Sequence, residues 1–427
     1  MAAAAPVTEV PELAEAEVIR WRTSGAPVID LLTRARRLGP VAAVRLGEQR
    51  WVLVTGARAV HHVLAARPER YIKRSHRLRR LLGNGVITAE GDLWRGQRRL
   101  LQSQFTVQGV RRYEQLMHQA AQDIAHAWTD VARSGRPRDL TADMRRFSLD
   151  VIWRAITGQA LDHTSHRQCL AAGRIVAATA ALGPTAETAC PDLGDDFADV
   201  ETVAERAIAA ARTNTAPGLL DGLLNAGPCD QTRQLIRDNI VTLLVAGYET
   251  TAATLTWLLL HLHDNPGRRD WALDRGPAGS PRRTEAIRAL ISETLRLYPT
   301  AWLLLRHATR DDTLAGHRIE AGTILALCPY LTHRDPDLWP DPCLFRPQRF
   351  IDPPRRPVPG AYYPFGLGPR ACLGAHFSLT EMTILAETLL PAFDFTLNQA
   401  TPRPTFGMTI HPDRPLLADV IERRLRP

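Results

Sequence analysis

Residues 240 to 262 read IVTLLVAGYETTAATLTWLLLHL, an apolar stretch long enough to cross a bilayer as a helix. Its middle argues against that use. Glu249 sits there with Thr250, Thr251, Thr254 and Thr256 close by, and an ionised acid at mid-membrane is costly. A helix buried in the core of a soluble protein accounts for the pattern better. The helical spacing runs from about Thr232 to His263 and stops before Asn265-Pro266-Gly267, with Asp230 or Thr232 placed to cap its start. At ~1.5 Å per residue such a helix is about 45–50 Å long and crosses most of a domain this size.

Helical spacing also covers residues 57 to 67, Leu93 to about Trp153 with a break near Ser134-Gly135 and Pro137, residues 165 to 180, residues 197 to 212, and RRTEAIRALISETLRLYP up to Pro299. VAAVRLGEQRWVLVTG (41 to 56) alternates about Gly47 and predicts a β-hairpin. LAGHRIEAGTILALCPY (314 to 330) predicts a second, and the C-terminal PRPTFGMTIHPDRPLLADVIERR reads as strands. LLGNGVITAEGD (81 to 92) is a glycine-punctuated loop. No internal repeat or linker interrupts the chain. The expected architecture is mainly α with a smaller β part, as a flexible tail over residues 1–15 and a single domain over 16–427.

Charge narrows the class of partner. Of 53 basic residues only Lys73 is lysine, and the formal charge is +8. The arginines are spread along the chain without interleaved aromatics, which argues against nucleic-acid binding; the skew itself reads as coding bias. The six cysteines form no CxxC pair, so zinc and dithiol readings fail, and such sparse use fits a reducing cytosol. The N-terminus lacks a charged-then-apolar leader, so a cytoplasmic protein without a membrane anchor is expected.

One cysteine stands apart. In FGLGPRACLG (365 to 374), Gly366, Gly368 and Gly374 permit tight turns and close approach to a flat ligand around Cys372. The segment that follows is strongly helical, so Cys372 falls at a helix N-terminus, where the dipole and Arg370 favour a thiolate. A thiolate in glycine-lined space is a metal ligand or a nucleophile. His376 is the nearest base, but it lies four residues on and points away from a cleft opening at the helix start.

The pattern Phe365-x-x-Gly368-x-Arg370-x-Cys372-x-Gly374 resembles the haem-binding signature of the cytochrome P-450 family, soluble bacterial type. Further family patterns follow in order from about residue 40 to 420. The resemblance implies a triangular helical domain with short sheets around haem b (iron protoporphyrin IX), with Cys372 as the iron ligand. Phe365, Gly366 and Gly374 would line the cofactor on the cysteine side, Ala246 and Gly247 on the other. Trp94 and Arg98 in GDLWRGQRR, Arg306 in LLLRHATRDD, and Arg370 match the family's contacts to the haem propionates. Glu293 and Arg296 in SETLRLYP match its E-x-x-R; alone, that spacing would describe an ordinary surface ion pair. Arg349 in FRPQRF would complete a buried structural network, although Gln348 stands where the family carries an acid. AGYETT (246 to 251) resembles the oxygen-activation motif, with Glu249 and Thr250 as an acid–alcohol pair for proton delivery and a threonine hydroxyl back-bonding to bend the helix.

By the same resemblance the chain is a monooxygenase that inserts one atom of O2 into a hydrophobic small molecule of terpenoid, polyketide or fatty-acyl type, in specialised metabolism. Epoxidation, desaturation and aryl or C–C coupling use the same cofactor and stay open, as, more remotely, does a haem sensor or carrier without turnover. Electrons would come from a ferredoxin and its reductase, docking near Arg95, Arg99 and Arg112. The pocket would draw on residues 78 to 87, including Leu82, Val86 and Ile87, on Leu243, and on Ala301, Trp302 and Leu303. Phe406 and Met408 would close it, with Trp302 either a wall or plain core. The basic cluster KRSHRLRR (73 to 80) could receive a substrate carboxylate or simply face solvent or the propionates.

Overall fold

The apolar stretch forms one continuous helix, Asp230–Asp264, in a computed structural model that describes residues 7–73, 75, 79, 82–181, 193–214, 218–225, 230–351 and 358–423. Among the described residues it is the one helix apolar and long enough to span a membrane, yet most of that window is buried inside the protein. Several of its threonines survive burial because the helix backbone satisfies them. Thr250, Thr254 and Thr256 donate to the carbonyls four residues back at 2.8, 2.9 and 2.8 Å.

Against it packs a second buried helix, Leu140–Thr157, capped by the Asp139 carboxylate and ended by Gly158 at φ +73°. The two approach closely because position 247 has no side chain: a Cβ there would lie 3.2 Å from Ile152. The helical stretch over 93–153, expected with one break, is broken twice. The break at Gly135 (φ +64°) was legible. The one between helices Gly91–Gln102 and Glu114–Ser134 was not, because residues 103–113 make short helical turns whose spacing mimics a continuous helix.

Five strands form the main sheet, in the order Val41–Leu46, Gln49–Val54, Ile324–Leu327, Leu304–Ala308, Tyr71–Lys73. The hairpin expected at 41–56 forms the first pair, turning at Gly47 (φ +61°). The second expected hairpin, 314–330, is corrected. Asp312–Leu314 pairs only with His317–Ile319, while Ile324–Leu327 leaves to join the main sheet, parallel to one neighbour and antiparallel to the other. Alternation alone does not tell which partner a strand takes. The C-terminal strands pair as Pro404–Phe406 with Ile410–Pro412, and Leu417–Glu422 lies between Phe393–Leu397 and Arg138–Asp139.

The tail expected over residues 1–15 is also corrected where it is described. Thr8 bridges to His317, Glu12 bridges to Ala43, and Val10 and Leu13 are buried. Residues 1–6 lie outside the described chain.

Candidate functional site

Two glycines make the cysteine loop. Gly366 and Gly368 both sit at φ +69°, a region that other residues occupy only with strain. A Cβ at Gly368 would also lie 2.0 Å from the Leu64 carbonyl oxygen. Replacing Gly368 by alanine is therefore expected to destabilise the fold by about 2 kcal/mol or more; a urea midpoint equal to that of the unmodified protein would contradict this. The loop closes through the Cys372 N–H, which donates to the Phe365 carbonyl at 2.7 Å, and through Gly366 N–H to Tyr363 at 3.0 Å. Gly374 then stands at the cap of helix Ala375–Leu389, with its Cα side facing the Phe105 ring.

The Cys372 side chain meets solvent on one side and is ringed by protein on the others. Burial pushes its thiol up; the Gly374 N–H, Arg98 and Lys73 offset this only in part. The helix start and Arg370 were expected to supply the positive field. Arg370 is instead taken up elsewhere: it donates to the Ala89 carbonyl at 2.9 Å, pairs with Glu90, and lies over the Trp94 ring at 3.8 Å. Arg98 supplies the nearby charge, donating to the Ala371 carbonyl at 2.8 Å beside the sulfur. A metal would be what removes the proton from this thiol, since only the thiolate ligates. His376 does not hydrogen-bond to Cys372 among the described residues, and burial lowers its pKa, so nothing here builds a cysteine–histidine nucleophile.

Near the loop lies a cluster of charge in which Arg306 is buried and Lys73, Arg370 and Glu90 are half-buried. The Arg306 guanidinium, on strand Leu304–Ala308, donates among the described residues only to the Leu305 carbonyl, and is lowered to about 10 by burial and then by Arg370, against the pull of Glu90. Lys73, on the adjoining strand, faces Arg306 in register and is lowered to about 8 by burial, Arg306 and Arg370, again against Glu90. Among the described residues the cluster holds three cations against one carboxylate, an excess of two positive charges. Glu90 was not among the expected cofactor contacts, and Lys73 was expected only as one member of the basic cluster at 73–80 that could take a carboxylate or face solvent or the propionates.

On the long helix, Thr250 donates back to Ala246, as expected, but no hydrogen bond joins the acid and the alcohol among the described residues. Successive helix residues point about 100° apart. Glu249 turns outward to Arg145, 3.5 Å away, and lines a cavity of about 220 Å³ with His411 and Asp413. Gly247 is set against Ile152 of the neighbouring helix, so helix packing explains it. Arg145 and His411 were missed because nothing local in sequence ties them to Glu249.

Glu293 and Arg296 form no surface pair: both side chains are 0% exposed. Arg296 donates to both carboxylate oxygens at 2.7 and 2.9 Å and to the carbonyls of His333, Pro342 and Leu344. Arg349 Nε and the Arg346 N–H reach the same carboxylate at 3.1 and 2.8 Å. Gln348, where the family carries an acid, has no partner for its Oε1 among the described residues.

Leu82, Val86 and Leu243 are buried; Ile87, Ala301, Leu303 and Phe406 are half-buried; Met408 is exposed. Trp302 is core-like, with its indole N–H on the Gly407 carbonyl at 2.8 Å and its ring edge-on to Phe406. Arg95, Arg99 and Arg112 are exposed, Arg95 in an ion pair with Asp92. Of the basic cluster at 73–80, only Lys73, Ser75 and Arg79 lie within the described residues.

Comparison with known proteins follows the same pattern. The sequence profile described as Cytochrome P-450 matches residues 21–186, 196–270 and 284–417. Cyclooctatin synthase from Streptomyces melanosporofaciens is 32% identical over 366 residues, covering 78% of each chain. Cytochrome P-450 714A2 from Arabidopsis thaliana is 28% identical over 390 residues, covering 81% of this chain and 74% of its own. The crystal structure of CYP175A1 from Thermus thermophillus superposes with a TM-score of 0.79 at 30% identity, covering 97% of this chain and 100% of that one.

Proposed function

Because the chain belongs to the cytochrome P-450 family, an oxidoreductase family of haem–iron oxygenases, we propose that it binds haem b through Cys372 and inserts one atom of O2 into a hydrophobic small molecule. The observation that carries this reading is the pairing of an accessible thiol on a glycine loop with a part-buried cluster in which, among the described residues, cations exceed carboxylates by two. A flat, doubly anionic iron porphyrin matches both: a soft metal for the sulfur and two carboxylates for Arg306, Arg370 and Lys73. Trp94 shapes that edge by carrying the Arg370 guanidinium on its ring, and Arg98 steadies the cysteine loop through Ala371.

When bound, haem supplies oxygen activation using two electrons from an external donor. The protein supplies protons and shape. Glu249 draws protons from its cavity beside Arg145 and His411; a water carries them round the helix to Thr250. The Thr250 hydroxyl, steadied by Ala246, presents its lone pairs toward the reacting side and passes the proton on. Ala246, Leu243, Val86, Ile87 and Phe406 keep that side apolar. Such a lining suits a terpenoid, polyketide or fatty-acyl substrate, and cyclooctatin-like compounds are the first to screen. A ferredoxin is the fitting donor for the exposed arginines Arg95, Arg99 and Arg112 on a chain of charge +8.

Thr250→Ala tests the relay. Haem binding is expected to stay intact while product per electron falls on the order of tenfold and hydrogen peroxide rises to match. Unchanged product per electron would overturn the relay.

A further inference from the structure

Coding bias accounts for many arginines but not for the single lysine, nor for where it sits. Lys73 ends a three-residue strand directly opposite Arg306. Like charges facing each other across a strand pair are unfavourable, and here Arg306 is buried and Lys73 half-buried. The nearby carboxylate, Glu90, is already engaged by Arg370. The Lys73 ammonium nevertheless has one fixed partner, the carbonyl of Ile87 at 3.0 Å.

That partner belongs to the loop at residues 82–90. The far side of the loop is fastened to the long helix: Asn84 N–H donates to Asp238 at 2.7 Å and Val86 N–H to Asn239 at 3.0 Å. On the near side Lys73 joins Ser75 and Arg79, which both donate to the Thr88 carbonyl. Among these ties only Lys73 also faces the cation cluster. An ammonium suits this double duty, being a compact point charge with three donors that can be split between two directions, whereas a guanidinium is a planar fork.

Resting on the haem reading above, we propose that Lys73 is a further cofactor contact that also acts as a positioning residue. Its ammonium holds a propionate together with Arg306 and, through the Ile87 carbonyl, fastens the loop at 82–90 over the substrate side.

The test uses purified haem-loaded protein carrying Lys73→Met or Lys73→Arg. Removing a cation from a cluster of like charge relieves repulsion, so Lys73→Met is expected to fold. Haem transfer to a scavenging apoglobin should be about tenfold faster in Lys73→Met, as for loss of one charge-assisted hydrogen bond. Amide hydrogen exchange should rise at residues 86–89 in the same sample, and Lys73→Arg should restore haem retention more fully than loop protection. Haem transfer within twofold of the unmodified protein, or unchanged exchange at 86–89, overturns the proposal. An unmodified protein that binds no haem overturns the function itself, a distinct result.

Discussion

Truncating Glu293 to alanine is expected to destabilise the protein by about 3–5 kcal/mol, because it strands a guanidinium in a dry interior. Arg296 has no exposed surface, and its two strongest partners are the Glu293 oxygens. The carbonyls of His333, Pro342 and Leu344 remain, but they do not neutralise the charge. The same carboxylate anchors the Arg346 N–H and Arg349, so the segment around residues 346–349 loses its tie to helix Pro281–Leu297 as well. Arg349→Ala should be milder, roughly 1–2 kcal/mol, since Glu293 and Arg296 stay paired. A Glu293→Ala, Arg296→Met double variant should recover part of the loss, because no buried charge is left alone. Urea midpoints of the three variants check this; a Glu293→Ala midpoint close to that of the unmodified protein would contradict it.

What the sequence made legible was local and periodic. The long helix shows because apolar spacing persists over many turns and a proline-glycine stop follows. The cysteine loop shows because left-handed backbone demands glycine at Gly366 and Gly368, and the structure places both there. Arg98, Arg306 and Arg370 could be picked out only by resemblance, and each lies by the cysteine loop or the cation cluster. Contacts made across long sequence distances were hidden. Strand Tyr71–Lys73 is three residues long, too short to alternate, so the facing of Lys73 and Arg306 across 233 residues of chain left no trace. Glu90 read as part of a loop, and nothing local shows that it draws Arg370 away from the sulfur. Likewise the one-residue step from Glu249 to Thr250 suggested contact, whereas helix geometry turns the acid toward Arg145. Trp302 was ambiguous until its indole N–H found the Gly407 carbonyl, since an aromatic beside a pocket and one in the core have the same sequence signature.

The largest functional effect belongs to position 372. Cys372→Ala removes a small side chain that is open to solvent on one side, so the fold should lose less than about 1 kcal/mol. The Gly366 and Gly368 turns and the Arg98 bond to the Ala371 carbonyl involve backbone atoms that the variant keeps. Ligation should nevertheless be abolished, and turnover with it, because no other side chain of the loop can offer iron a thiolate. The direct measurement is the absorption difference spectrum of the reduced, carbon-monoxide-treated protein, recorded for the unmodified chain and for Cys372→Ala at equal far-ultraviolet circular dichroism. The unmodified chain should display the thiolate-type band and the variant should lack it; a band that persists undisturbed in Cys372→Ala, or is missing from the unmodified chain, would mean that this sulfur does not hold the iron.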